Sequence, residues 1–212
     1  MRSIRALRAA LWALAVLSGL CAGAAHAAGE ALLPVETFFR DPDISDAELS
    51  PSGKRIAVIT SAGSQRIALS VVELATGKST PVANFDDADV GEFEWVNDER
   101  LVYKLEDRNM PVGQQRFFSG LFSVMADGSD PRQLIALNWN TASAYRVREP
   151  LSVRHSLMSV PSTGGNDVVV GRWRYDGRRN PIEVTPMLLD TSSQRTRSLE
   201  IGSLDNVRRW MF

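Results

Sequence analysis

Ser50-Pro51-Ser52-Gly53-Lys54-Arg55-Ile56-Ala57-Val58-Ile59 is the stretch that decides the fold. A Ser-Pro-Ser-Gly-Lys turn runs into a short apolar segment rich in β-branched residues, which is the signature of a strand. Ile67 to Leu74 gives a second strand. Ala75-Thr76-Gly77-Lys78 then turns the chain, and Ser79-Thr80-Pro81-Val82 starts to return it. This order is one propeller blade in outline.

The pattern recurs. Phe93-Glu94-Trp95-Val96 opens a second copy, in which Asn97-Asp98-Glu99-Arg100 takes the part of the Pro51–Lys54 turn and Leu101-Val102-Tyr103 that of Ile56-Ala57-Val58. Its later strand, Gly120 to Met125, ends in Ala126-Asp127-Gly128-Ser129, the counterpart of Ala75–Lys78, and Pro131 to Ile135 leads away. A looser third copy has strands at Asp167 to Trp173 and Glu183 to Leu189, with the turn Asp190–Gln194 before Thr196 to Leu199. Turns of one kind thus return every 50 to 65 residues or so, near the long end for propeller blades. Asn138 to Gly165, with Pro150, Pro161 and Gly164-Gly165, reads as a linking strand plus an insertion. Short strands with regular turn chemistry predict an all-β chain. A β-sandwich would use the same strands but leaves the repeated turn unexplained, so a partial β-propeller of about three blades is the expected fold.

The predicted organisation is a signal peptide over 1–27, an N-terminal arm over 28–44, and an incomplete propeller over 45–212. Its blades are expected at about 45–89, 91–137 and 160–202, with the start of a further blade at 205–212. Arg2, Arg5 and Arg8 precede an apolar run from Ala9 to Leu20, and Ala25-His26-Ala27 fits a cleavage site, so export to the periplasm or medium is expected. The run is too short for a comfortable membrane span. Cys21, the single cysteine, lies inside that signal and follows Leu20, which disfavours lipidation. The mature chain then has no thiol for a disulfide, a metal or a nucleophile. In the arm, Pro34 and Pro42 oppose a long helix, and Phe38 and Phe39 are apolar anchors. At the other end, Asp205 to Phe212 looks like a first strand, and an edge bearing Trp210, Met211 and Phe212 suggests a chain cut short.

Composition excludes little. A hydrophobic fraction of 44%, a charged fraction of 23% and a formal net charge of −1 describe an ordinary globular chain with no global basic field for nucleic acid. A search for chemistry returns no complete catalytic site. Gly-x-Ser-x-Gly does not occur. His155, between Arg154 and Ser156, is the one histidine after the signal, and it reads as a surface residue rather than a base. Asp41 and Asp43 flank Pro42 in a turn, and Asp86, Asp87 and Asp89 read as a solvated loop; neither spacing is that of a calcium site. Glu92 and Glu94 share one side of a strand. Ser162-Thr163-Gly164-Gly165-Asn166 lacks the Lys-Ser/Thr of a phosphate loop and reads as a turn. Arg172 and Arg174 alternate with Trp173 and Tyr175, which places the arginines on one strand face and the aromatics on the other. No catalytic, cofactor-binding or metal-binding residue is assigned, and no cofactor is expected.

Leu33-Pro34-Val35-Glu36-Thr37-Phe38-Phe39-Arg40-Asp41-Pro42, followed by Leu49-Ser50-Pro51-Ser52-Gly53-Lys54-Arg55-Ile56-Ala57, resembles the mature N-terminus of exported bacterial serine peptidases of the prolyl oligopeptidase family, of the dipeptidyl- and acylaminoacyl-peptidase kind. Glu94 to Val102 and Ala126–Ser129 resemble that family's second blade. The resemblance implies a propeller that caps a C-terminal α/β-hydrolase domain and admits only short peptides. The family's serine, aspartate and histidine lie in that C-terminal domain, so none maps onto this chain. The Ser-Pro-Ser-Gly-Lys turn also occurs in TolB-like propellers. A non-enzymatic periplasmic propeller binding a protein or envelope component is therefore the alternative expectation.

Overall fold

A computed structural model describes residues 43–61, 66–111, 119–139 and 148–199, all within the compact unit Asp41–Phe212. The expected signal peptide, nearly all of the arm and the blade start at 205–212 lie outside these residues. Every regular element among the described residues is a strand: β1 Ile44–Leu49, β2 Arg55–Thr60, β3 Ala68–Glu73, β4 Lys78–Ala83, β5 Asp89–Asn97, β6 Arg100–Glu106, β7 Leu121–Met125, β8 Arg132–Ile135, β9 His155–Ser159, β10 Asp167–Tyr175, β11 Pro181–Asp190 and β12 Thr196–Ser198. They form three four-stranded antiparallel meanders, β1-β2-β3-β4, β5-β6-β7-β8 and β9-β10-β11-β12. This is the architecture of a partial β-propeller.

The turns named in the sequence fall at equivalent places. Ser50–Lys54 closes β1 onto β2, with Gly53 N donating to the Ser50 carbonyl at 2.8 Å, and Asp98-Glu99 closes β5 onto β6. The third-to-fourth-strand hairpins need one left-handed residue each, and Gly77 (φ 67°) and Gly128 (φ 85°) supply it without a Cβ clash. In the third sheet Gln194 adopts the same conformation (φ 58°) despite its side chain. The compensation is a hydrogen bond: its buried Nε2 donates to the Gln133 carbonyl on β8 at 2.7 Å, tying the turn to the middle sheet.

One strand falls where none was assigned, and another falls within the stretch expected to hold a linking strand. β1 occupies the end of the expected arm and the approach to the turn, and its six residues are all exposed. β9 begins at His155, ahead of the blade start expected near 160 and inside the stretch read as a linking strand plus an insertion. Neither carries an inward apolar stripe. Upstream of β9, Leu151 bridges Ile135 in parallel fashion, with Leu151 N donating to the Leu134 carbonyl at 2.9 Å.

The apolar core has two parts. Ile59, Leu69 and Val71 of the first sheet meet Leu101, Tyr103, Leu105 and Phe122 of the second. Val102, Leu121, Leu134 and Ile135 meet Val168, Val170 and Leu189 of the third. Tyr103 and Phe122 stack at 5.4 Å between ring centroids, and Phe85 sits edge-on to Phe122 at 6.3 Å. Phe122→Ala is expected to cost about 3–5 kcal/mol by removing a fully buried ring, measured by urea unfolding. A loss below about 1 kcal/mol would contradict this packing.

Candidate functional site

Successive sheets are joined at their turn ends by polar side chains. Asp98 accepts from Ser52 N at 2.7 Å, and Arg55 Nη1 donates to the Asp98 carbonyl at 2.7 Å, linking the first two sheets. Asn97 Nδ2 lies 3.0 Å from the Gly165 carbonyl and 3.0 Å from Asn166 Oδ1, linking the second and third. Ser123 Oγ, buried, donates to the Thr191 carbonyl at 3.1 Å. The Gly164-Gly165 loop is thus a joint between sheets; its glycines cradle no phosphate-binding helix.

The opposite end of the first two sheets is held by charge. Asp89 is 2% exposed; it accepts from Ile67 N at 2.9 Å, from Arg108 N at 3.0 Å and from Arg66 Nη1 at 3.0 Å. Arg66 also reaches Asp107 at 3.0 Å and the Asp86 carbonyl at 3.3 Å. The solvated loop expected for Asp86, Asp87 and Asp89 is corrected here, because Asp89 is an interior anchor with its own counter-ion. A short acidic run is silent about which member turns inward. The one available signal was that Asp89 opens an alternating strand.

The remaining surface of interest follows the first strands of the first two sheets. Trp95 Nε1 donates to the Glu48 carbonyl at 3.1 Å and draws β5 towards β1. Alternation then lines up Asp46 and Glu48 with Glu92 and Glu94, all exposed. A cleft of about 170 Å³ lies between Asp46, Glu92, Glu94 and Lys104, with Val102, Leu121 and Leu157 in its apolar lining. A second, of about 350 Å³, runs from Glu48 and Leu49 past Trp95 to Val160 and Pro161, just after β9. Lys104 Nζ neutralises Glu92 at 2.7 Å. Burial, and then repulsion from Glu94 and Asp46, holds Glu48 above the ordinary glutamate range. Burial also raises Glu94; Lys104 opposes it and Glu92 reinforces it.

Nothing among the described residues assembles a reaction centre here. His155 lies at the start of β9, half-buried, with Nδ1 3.0 Å from the Ser152 carbonyl and 3.3 Å from Ser152 Oγ. Burial lowers its pKa, the Ser152 carbonyl opposes this and Arg172 adds to the lowering. No carboxylate orients it, and Ser156 Oγ is engaged by Trp173 Nε1 at 2.8 Å. The described residues hold no group of three His, Cys, Asp or Glu placed to bind a metal ion. Arg172 and Arg174 are exposed on one face of β10, with Trp173 and Tyr175 half-buried on the other, as the alternation requires.

No family model matches the chain, and no curated protein matches it. Solved structures do. The acylaminoacyl peptidase of Pyrococcus horikoshii is similar at 17% identity and a TM-score of 0.45 over 79% of this chain and 26% of its own. Puromycin hydrolase is similar at 16% identity and a TM-score of 0.42, over 78% of this chain and 21% of its own. A conserved lipoprotein of Clostridium novyi NT is similar at 14% identity and a TM-score of 0.40, over 76% of this chain and 90% of its own. The chain therefore spans about a quarter of the acylaminoacyl peptidase's length. Similarity of this degree assigns neither a site nor an activity.

The raised carboxyls give a pH-dependent outcome. A carboxyl whose folded pKa is raised contributes stability below its unfolded value and loses it as pH rises through the folded value. At pH 7 the Glu48–Glu94 pair is therefore unfavourable. The double change Glu48→Gln and Glu94→Gln is expected to raise Tm by about 1–3 °C at pH 7, a small figure because both groups are largely solvated. The gain should fade below the ordinary glutamate value of 4.5. A lower Tm at pH 7, followed by scanning calorimetry, would show the pair to be stabilising.

Proposed function

We propose that this chain is the N-terminal propeller portion of an exported serine peptidase of the prolyl oligopeptidase family, and that its role is to gate substrates. The observation that carries the reading is the Leu49–Ala57 stretch: it resembles that family's first blade, and its Ser50–Lys54 turn closes the first of three successive four-stranded meanders. The arm motif at Leu33–Pro42 supports the same family, and the tripartite pattern of residues 1–27 supports export to the periplasm or medium. On this reading the catalytic serine, aspartate and histidine belong to an α/β-hydrolase domain encoded beyond Phe212. The propeller forms one wall of the reaction chamber and excludes substrates too large to enter.

The role divides cleanly in an assay. The protein from the complete reading frame should hydrolyse short aminoacyl or peptidyl amides, lose that activity to a serine-directed inhibitor, and leave a folded protein substrate intact. The 212-residue chain alone should be inert towards the same amides. Inhibitor-sensitive hydrolysis by this chain alone would overturn the division of labour, and equal cleavage of short peptides and a folded protein would overturn the gating role. The second reading, a non-enzymatic propeller binding a protein or envelope component, draws on the Ser-Pro-Ser-Gly-Lys turn that TolB-like propellers share. It requires a complete protein with no amidase activity at all.

A further inference from the structure

The β10–β11 hairpin outreaches the strands that flank it. β9 pairs with β10 only as far as Arg172, with one more bond from Trp173 N to the Arg154 carbonyl at 2.8 Å. β12 covers β11 only over residues 187–189. Residues 174–183 therefore stand clear of both neighbours as a two-stranded ribbon, and 176–181 are all exposed. The tip is well formed. Asp176 Oδ1 accepts from the backbone N–H groups of Arg178 and Asn180, each at 2.8 Å, and Arg179 turns through φ 65°.

Charge on this ribbon is unbalanced. Its two acidic residues are committed within it, Asp176 to the tip turn and Glu183 to the guanidinium of Arg174. The guanidinium groups of Arg178 and Arg179 on the ribbon, and of Arg172 at its base, have no hydrogen bond or ion pair among the described residues. An exposed, preorganised element carrying arginine and no lysine suits carboxylates, which guanidinium meets through paired N–H donors.

The complementary surface is on the same chain. Along β1 and β5, the carboxylates of Asp46, Glu48 and Glu94 form no ion pair among the described residues, and they line two adjoining clefts beside an exposed edge strand. Glu48 and Asp46 repel, as do Glu48 and Glu94, so a cation placed there relieves an existing strain in charge. We propose that the chain associates head to tail, the ribbon of one copy docking through Arg172, Arg178 and Arg179 on the acidic β1–β5 strip of a second copy. Such a contact joins two different surfaces, so it builds chains or a ring rather than a closed pair. It is also screened by salt.

Sedimentation velocity of the purified full chain over a concentration series tests this. At about 0.05 M salt the average mass should rise with concentration, and at about 0.5 M salt it should fall to that of the monomer. R178Q/R179Q, confined to the exposed tip, should weaken association at least about tenfold. The reversals R172E/R178E/R179E and D46K/E48K/E94K should each be monomeric alone and should associate when mixed, because the mixture restores opposite charges across the contact. A wild-type chain that stays monomeric throughout would overturn the proposal and leave the ribbon to an unrelated acidic partner. Association that survives the tip change, or that ignores salt, would also overturn it.

Discussion

The second sheet carries apolar residues on both of its faces: Leu101, Tyr103, Leu105 and Phe122 enter the core shared with the first sheet, and Val102, Leu121, Leu134 and Ile135 enter the core shared with the third. A sheet that buries apolar side chains on both faces must be covered twice. The chain meets that constraint by repeating one meander and laying the copies against each other. The flanking sheets inherit their polarity from it, and their apolar stripes, Ile59 and Leu69 on one side and Val168 and Val170 on the other, are turned towards the middle. The first strand of the first sheet is wholly exposed.

Apolar faces slide unless something fixes their register, and here polar groups do so. Arg66 and Asp89 lock the first sheet to the second at one end, while Ser52, Arg55 and Asp98 lock them at the other. Between the second and third sheets, Ser123, Gln133 and Gln194 serve the same purpose. A buried ion pair adds little net stability, but loss of one partner strands the other charge away from water. These residues therefore act on how the sheets align more than on how tightly they pack.

The repeated turns were legible because their chemistry is local. Gly77 and Gly128 announce left-handed hairpin residues, and β-branched runs announce the central strands. The outer strands were less legible for a physical reason. Ile44–Leu49 and His155–Ser159 bury no alternating stripe, so nothing in their composition separates them from loop. β5 was visible only because Phe93 and Trp95 reach the core of a sheet covered on both sides. Asp89 and Arg66, separated by 23 residues, meet only after two strands have formed, and no local pattern could pair them. The acidic clefts depend in the same way on Trp95 drawing β5 to β1.

The functional account joins a repeated, well-packed scaffold to a region in which no nucleophile, base and acid converge among the described residues. The gating role proposed for it requires chemistry supplied by another part of the protein. The most direct measurement is the nucleotide sequence of the source gene past the codon for Phe212. The account predicts an open frame that encodes a Gly-x-Ser-x-Gly elbow, followed in order by the aspartate and histidine of an α/β-hydrolase triad. A stop codon immediately after Phe212, or a continuation of further blades without that elbow, would contradict it.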